Sequence, residues 1–87
     1  MSSFIRLSDL LHGERAVVLG LVAACDRVTE PTLRRLAELG FIPGEPVQLL
    51  RRGPGGREPL AVRVGDTQFA LRLVEADCIQ VRAVGAP

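Results

Sequence analysis

Eighty-seven residues, 47% of them hydrophobic, make one domain with a small core. The 11 basic residues are all arginine and stand against 10 acidic ones, for a net charge of +1; this balance excludes bulk attraction to nucleic acid or to an anionic membrane surface. No apolar run approaches the roughly 20 residues of a membrane-spanning helix, and with no Trp, no Tyr and three Phe the core has to be aliphatic.

The opening stretch, MSSFIRLSDLLHGER, lacks a basic start followed by a long apolar run, so no secretory leader is expected. Ser8 and Asp9 ahead of Leu10 and Leu11 predict one capped helical turn, ended by Gly13. RAVVLGLVAA (15–24) is rich in β-branched residues. It reads as a strand apolar on both faces, with Val18 and Val22 on one side and Val17, Leu19 and Leu21 on the other. Gly20 in its middle predicts a bulge or bend.

CDRVTEPTLRRLAELG (25–40) carries the one helix. Thr29 or Glu30 starts it, and Pro31 sits in the first turn, where a missing N–H costs nothing. Leu33, Leu36 and Ala37 share a face at spacings of three and four, while Arg34, Arg35 and Glu38 point elsewhere. Gly40 stops the helix, giving a span of about 29–39.

From Pro46 onward the apolar period is two. PVQLLRR (46–52), PLAVRV (59–64), TQFALRLV (67–74) and CIQVRAV (78–84) each alternate as strands. GPGGRE (53–58) is a hairpin tip, Gly65-Asp66 a two-residue turn, and Glu75-Ala76-Asp77 a strand break. The chain therefore reads as mainly β: a small SH3-like barrel of about five strands with one short helix inserted between strands 1 and 2. In the corner ELGFIPGEPVQLL (38–50), Leu39 and Phe41 are expected to dock the helix end on the barrel mouth, and Pro43-Gly44 to turn the chain into the second strand.

Chemistry is sparse. His12 is the one histidine, and Ser2, Ser3, Ser8 and Thr67 fall in no nucleophile-elbow or P-loop pattern. No catalytic residue is assigned, and the chain is expected not to be an enzyme. Asp9, His12 and Glu14 form a small cluster of metal-ligating types. Three or four converging ligands make a site, so the plain expectation is a solvated His12; a second copy of the chain would have to complete a metal centre. No cofactor is required, and a transition metal (Fe²⁺ or Zn²⁺) is the one candidate. Cys25 and Cys78 lie in no metal-type motif and read as reduced thiols, with a disulfide left open. Arg51, Arg52 and Arg57 flank the long hairpin, and Arg63, Arg72 and Arg82 are expected on the outer faces of successive strands. They read either as solvated polar faces, each worth little, or as a binding surface.

The run RRLAELGFIPGEPVQLLRRGPGGREPLAVRVGDTQFALRLVEADCIQV (34–81) closely resembles the FeoA family, small accessory proteins of bacterial ferrous iron transport. The matching elements are RLAELGF-IPG at 35–44, the glycine-rich hairpin, PLAVRVGDTQFALR at 59–72 and EADCIQV at 75–81, together with LSDLLHGERAVV at 7–18. The likeness covers about residues 5–84 of a single domain, 1–87. It implies an SH3-like barrel, a cytoplasmic location and a partner, the membrane transporter FeoB, whose cytosolic portion includes a GTP-binding domain. It brings no catalytic residues, and the matching Leu36, Leu39, Gly40, Pro43, Gly44 and Ala76 read as architectural. The expectation is an adaptor that binds FeoB and modulates ferrous iron uptake, with no nucleic acid and no membrane insertion. Its contact surface is expected at Arg34, Arg35, Glu38, Leu39 and Phe41. The alternative is a metal sensor or chaperone acting through a site at a dimer interface; a homodimer is left open.

Overall fold

A computed structural model of the chain describes residues 4–84. Its elements in chain order are β1 (Phe4–Arg6), a 3₁₀ turn (Leu7–Asp9), β2 (Arg15–Leu21), α1 (Glu30–Leu39), β3 (Pro46–Arg52), a 3₁₀ turn (Pro54–Gly56), β4 (Leu60–Val64), β5 (Thr67–Leu71), α2 (Leu73–Ala76) and β6 (Ile79–Ala83). The strands form one antiparallel sheet in the order β1-β6-β2-β3-β4-β5.

The period-two pattern decides which face is inside. Leu60, Val62 and Val64 of β4, Leu71 of β5, and Ile79 and Val81 of β6 are buried, while Arg63 between Val62 and Val64 and Arg82 after Val81 are exposed. Together with Val18, Val47, Leu49 and Leu36 these residues form one cluster, so the curled sheet encloses a single aliphatic core. At roughly 1.5–3 kcal/mol per fully buried Val, Leu, Ile or Phe, that cluster is the main stabilising term.

The mainly β, SH3-like expectation holds, with differences in detail. There are six strands among the described residues, because Phe4–Arg6 pairs along β6; three residues are too few to show a period. The inserted helix consequently lies between the second and third strands. The hydrogen-bonded ladder is open, β1 and β5 being its two edges. In β2 the register to β6 shifts between Val18 and Gly20, the irregularity that Gly20 predicts. Past it the facing changes, so Val18 is buried while Val22, beyond the strand's end at Leu21, is exposed.

The stretch after β5 is the clearest departure. Leu73 extends the alternation of Phe69 and Leu71, yet it is exposed and opens α2. The Glu75 carboxylate accepts the backbone N–H of Arg72 at 2.8 Å, and Asp77 N–H donates to the Leu73 carbonyl at 2.9 Å. What reads as a broken strand is a capped helical turn that seats Ala76 in the core. Arg72 therefore stands at a helix start and not on a strand.

Arg52 also departs from the reading as a solvated cation. It is partly buried, and its Nη2 donates to the carbonyl oxygens of Ser8 and Leu10. The Ser8 hydroxyl in turn bonds to the Asp77 carboxylate. These contacts hold the 3₁₀ turn against the body of the domain and seat Leu7 and Leu10 in the core.

Candidate interaction surface

Thr29 is the N-cap of helix α1; its backbone is extended and its carbonyl accepts the N–H groups of Thr32 and Leu33 at 3.0 and 3.2 Å. Pro31 occupies the first turn, as its sequence position requires. Leu36 turns fully inward, Leu33 packs against the core, and Arg34, Arg35 and Glu38 remain exposed.

The far end of the helix is a Schellman cap. Gly40 has φ +118°, its N–H donates to the Ala37 carbonyl at 3.0 Å, and the Phe41 N–H reaches back to the Leu36 carbonyl at 3.2 Å. This motif pairs the apolar residue following the glycine with one in the last turn, and Phe41 and Leu36 are both buried. The Phe41 ring also lies 6.0 Å from that of Phe69 in a tilted arrangement. The chain then crosses to β2: Gly44 N–H donates to Val18 O at 2.8 Å and Val18 N–H to Glu45 O at 2.9 Å. The helix end and the corner 40–45 are thus pinned to the sheet at several points.

The five residues expected as a contact surface separate into two groups. Arg34, Arg35 and Glu38 are on the surface and Leu39 is half-buried. Phe41 is 0% exposed and belongs to the core, which removes it from any contact role. The docking expected of Leu39 and Phe41 is therefore present, with Phe41 as its anchor. Ile42, which sequence reasoning passed over, is 45% exposed beside them. The Schellman pattern was the available signal: the first apolar residue after the glycine goes inward, so the second is free to face out.

Asp9, His12 and Glu14 do not converge. Asp9 Oδ2 accepts the Arg6 N–H at 3.0 Å and Glu14 Oε1 accepts the Leu11 N–H at 2.8 Å. Each carboxylate is thereby used to tie a local turn, and His12 is exposed between them. No group of three His, Cys, Asp or Glu side chains placed to hold a metal ion occurs among the described residues. The expected cluster is therefore not a metal centre within one chain. Cys25 is an exposed free thiol and Cys78 a buried one. Cys78 donates from Sγ to the Val74 carbonyl, and burial pushes its pKa up. No helix among the described residues is long and apolar enough to cross a membrane.

The FeoA domain profile matches residues 5–83. The FeoA of Stenotrophomonas maltophilia, solved as a zinc complex, is 43% identical over 88% of each chain, with a TM-score of 0.77. It is described as a prokaryotic SH3-domain protein and a candidate activating factor for bacterial ferrous iron transport. The FeoA protein of Chlorobium tepidum is 31% identical over 93% of this chain and 71% of its own, with a TM-score of 0.79. A FeoA-like protein from Clostridium acetobutylicum, 23% identical over 100% of this chain and 94% of its own at a TM-score of 0.81, shares the fold. No curated protein sequence matches the chain. The chain belongs to the FeoA family.

Proposed function

We propose that this member of the FeoA family is a non-enzymatic accessory protein of bacterial ferrous iron uptake, acting in the cytoplasm by docking on the cytosolic domain of the FeoB transporter and modulating it. The observation that carries the reading is the pinned helix end. Arg34, Arg35, Glu38 and Ile42 stand outward on a helix and corner anchored by the buried Leu36 and Phe41 and by the Gly44 and Glu45 hydrogen bonds to Val18 of β2. A surface held this way loses little conformational freedom on binding, and its mix of two guanidinium groups, a carboxylate and an exposed aliphatic side chain suits a protein partner. The 43% identical FeoA described as a candidate activating factor for ferrous iron transport points the same way.

Calorimetric titration into the purified cytosolic domain of the matching FeoB, with and without a GTP analogue, tests this reading. Saturable binding that is lost in R34E/R35E is the expected result. Equal binding by that variant would place the contact on another face, and no binding in either nucleotide state would remove the adaptor reading for the isolated domain.

A second reading, a metal sensor or chaperone, is favoured by one observation: the 43% identical relative was solved with zinc. On that reading Asp9, His12 and Glu14 of one copy would join ligands of a second copy, with Fe²⁺ or Zn²⁺ as the metal. Anaerobic Fe²⁺ and Zn²⁺ titrations followed by sedimentation check it; a metal-dependent dimer abolished by H12A is expected, and a metal-indifferent monomer rules it out.

A further inference from the structure

The outer face of the sheet carries a row of side chains whose register is set by strand pairing. Arg15 of β2 stands opposite Gln48 of β3, Gln48 opposite Arg63 of β4, and Arg63 opposite Gln68 of β5. Two cations thus alternate with two neutral amides across four adjacent strands. Like charges directly opposite one another would destabilise the sheet; Gln48 spaces Arg15 from Arg63 by two strand separations, roughly 10 Å between backbones. Both arginines are exposed, and none of the side-chain hydrogen bonds among the described residues engages either guanidinium.

The row is not flat. Arg15, Gln48 and Arg63 line one cleft of about 380 Å³ whose walls include Pro46, Gly65 and Val84. Gln48 is fixed there by donating from Nε2 to the Gly13 carbonyl at 2.9 Å, which leaves its second amide hydrogen available. The acidic neighbours are accounted for. Glu14 uses a carboxylate oxygen on the Leu11 N–H. Asp66 is in the exposed β4–β5 turn. A carboxylate oxygen of Glu45 lies 3.8 Å from where a Cβ on Gly65 would be, at one rim.

We propose that Arg15, Gln48 and Arg63 form a binding site for a tetrahedral, doubly charged oxyanion, either inorganic phosphate or a phosphate monoester. Two guanidinium groups approaching from opposite sides require an anion with oxygens pointing in more than one direction. A phosphate supplies three or four such oxygens and a charge that matches both arginines. A carboxylate is planar and singly charged, so it leaves one of the two guanidinium charges unmatched. The Gln48 amide adds a neutral donor between them. Glu45 opposes the anion at the Gly65 rim, so neutralising it strengthens binding. This site lies on the strands and is independent of the adaptor reading, which rests on α1.

The test is a ¹⁵N-correlation NMR titration of the full chain with sodium phosphate at constant ionic strength, with sodium acetate as the control anion. Saturable shifts centred on the amides of Gln48, Gly65 and Val84 are expected with phosphate and not with acetate. R15Q and R63Q are each expected to weaken binding about tenfold or more, E45Q to tighten it, and R51Q to leave it unchanged. Both arginines are exposed, so a dispersed spectrum confirms that the variants fold; E45Q provides a readout that needs neither arginine altered. A parallel titration with glycerol phosphate identifies the source: tighter binding than inorganic phosphate assigns an ester, weaker binding the free ion. Shifts that are linear, shared with acetate, or unaltered by R15Q and R63Q would overturn the proposal.

Discussion

Arg52 reaches from the end of β3 to the carbonyl of Leu10, with 3.0 Å between Nη2 and the oxygen. The same nitrogen serves the Ser8 carbonyl. One guanidinium group thereby satisfies two backbone acceptors in a segment that has little regular structure to satisfy them. Leu7 and Leu10 are fully buried on either side, so the clamp decides whether the N-terminal turn stays packed.

Replacing Arg52 with alanine leaves both carbonyls to find water. Hydrogen bonds to a charged group are worth roughly 1.5–3 kcal/mol, and R52A is expected to lose about that much in urea denaturation. In a domain this small the midpoint of thermal unfolding falls by about 4–8 °C per kcal/mol. R52K keeps the charge on a shorter side chain that reaches the two carbonyls less well, and is expected to fall between wild type and R52A. An unchanged urea midpoint in R52A would show that the turn is held by Leu7 and Leu10 alone.

Gly40 is required by its backbone angle and not by lack of space. Its φ is +118°, whereas an added Cβ would meet Val64 at 3.6 Å, an ordinary contact. G40A is therefore expected to destabilise the domain by about 1–2 kcal/mol, the cost of a left-handed L-residue. At Gly20, where φ is not in that region and nothing lies within 4 Å, G20A is expected to have a much smaller effect. Equal losses at the two positions would contradict this account of the corner.

The separation of Phe41 from its charged neighbours gives a matched pair of variants. F41A removes a fully buried ring and is expected to cost about 3–5 kcal/mol. R34E/R35E changes exposed positions, with stability expected within about 0.5 kcal/mol of wild type. Only the second variant is expected to lose partner binding while remaining folded. A stable F41A protein would show that the corner tolerates a cavity that its packing argues against.

The parts of the fold that could be read from sequence were those where two independent signals agreed. Helix α1 had a first-turn proline, an apolar face and a terminal glycine, and it appears at Glu30–Leu39. Strand β3 had a clean change of period and appears at Pro46–Arg52. The misreadings came from single signals. Leu73 extends an alternation, but the capping reach of Glu75 turns the chain into α2. Arg52 is one arginine among eleven, and its clamp depends on residues more than forty positions away, a relation no local pattern contains. For Asp9, His12 and Glu14 the ligand count already favoured a solvated His12, and His12 is exposed while the two carboxylates serve nearby N–H groups. Arg15, Gln48 and Arg63 are distant in sequence and meet only through strand register.

The two thiols are expected to differ in reactivity and in their link to stability. Cys25 is exposed and Cys78 buried. Burial raises the Cys78 pKa; the backbone N–H of Ala24 at the sulfur opposes this, and the nearby Cys25, Asp77 and Glu75 add to it. Because the native thiol holds its proton more tightly than the unfolded one, its contribution to stability is complete below the unfolded thiol pKa of about 8.5. It is lost as pH rises through the native value. Iodoacetamide is therefore expected to label Cys25 in the native protein and Cys78 only after unfolding. Between pH 7 and pH 10 the urea midpoint of wild type is expected to fall further than that of C78A, which has no thiol to ionise. If the two midpoints fall in parallel, the alkaline loss arises elsewhere and Cys78 contributes nothing to it.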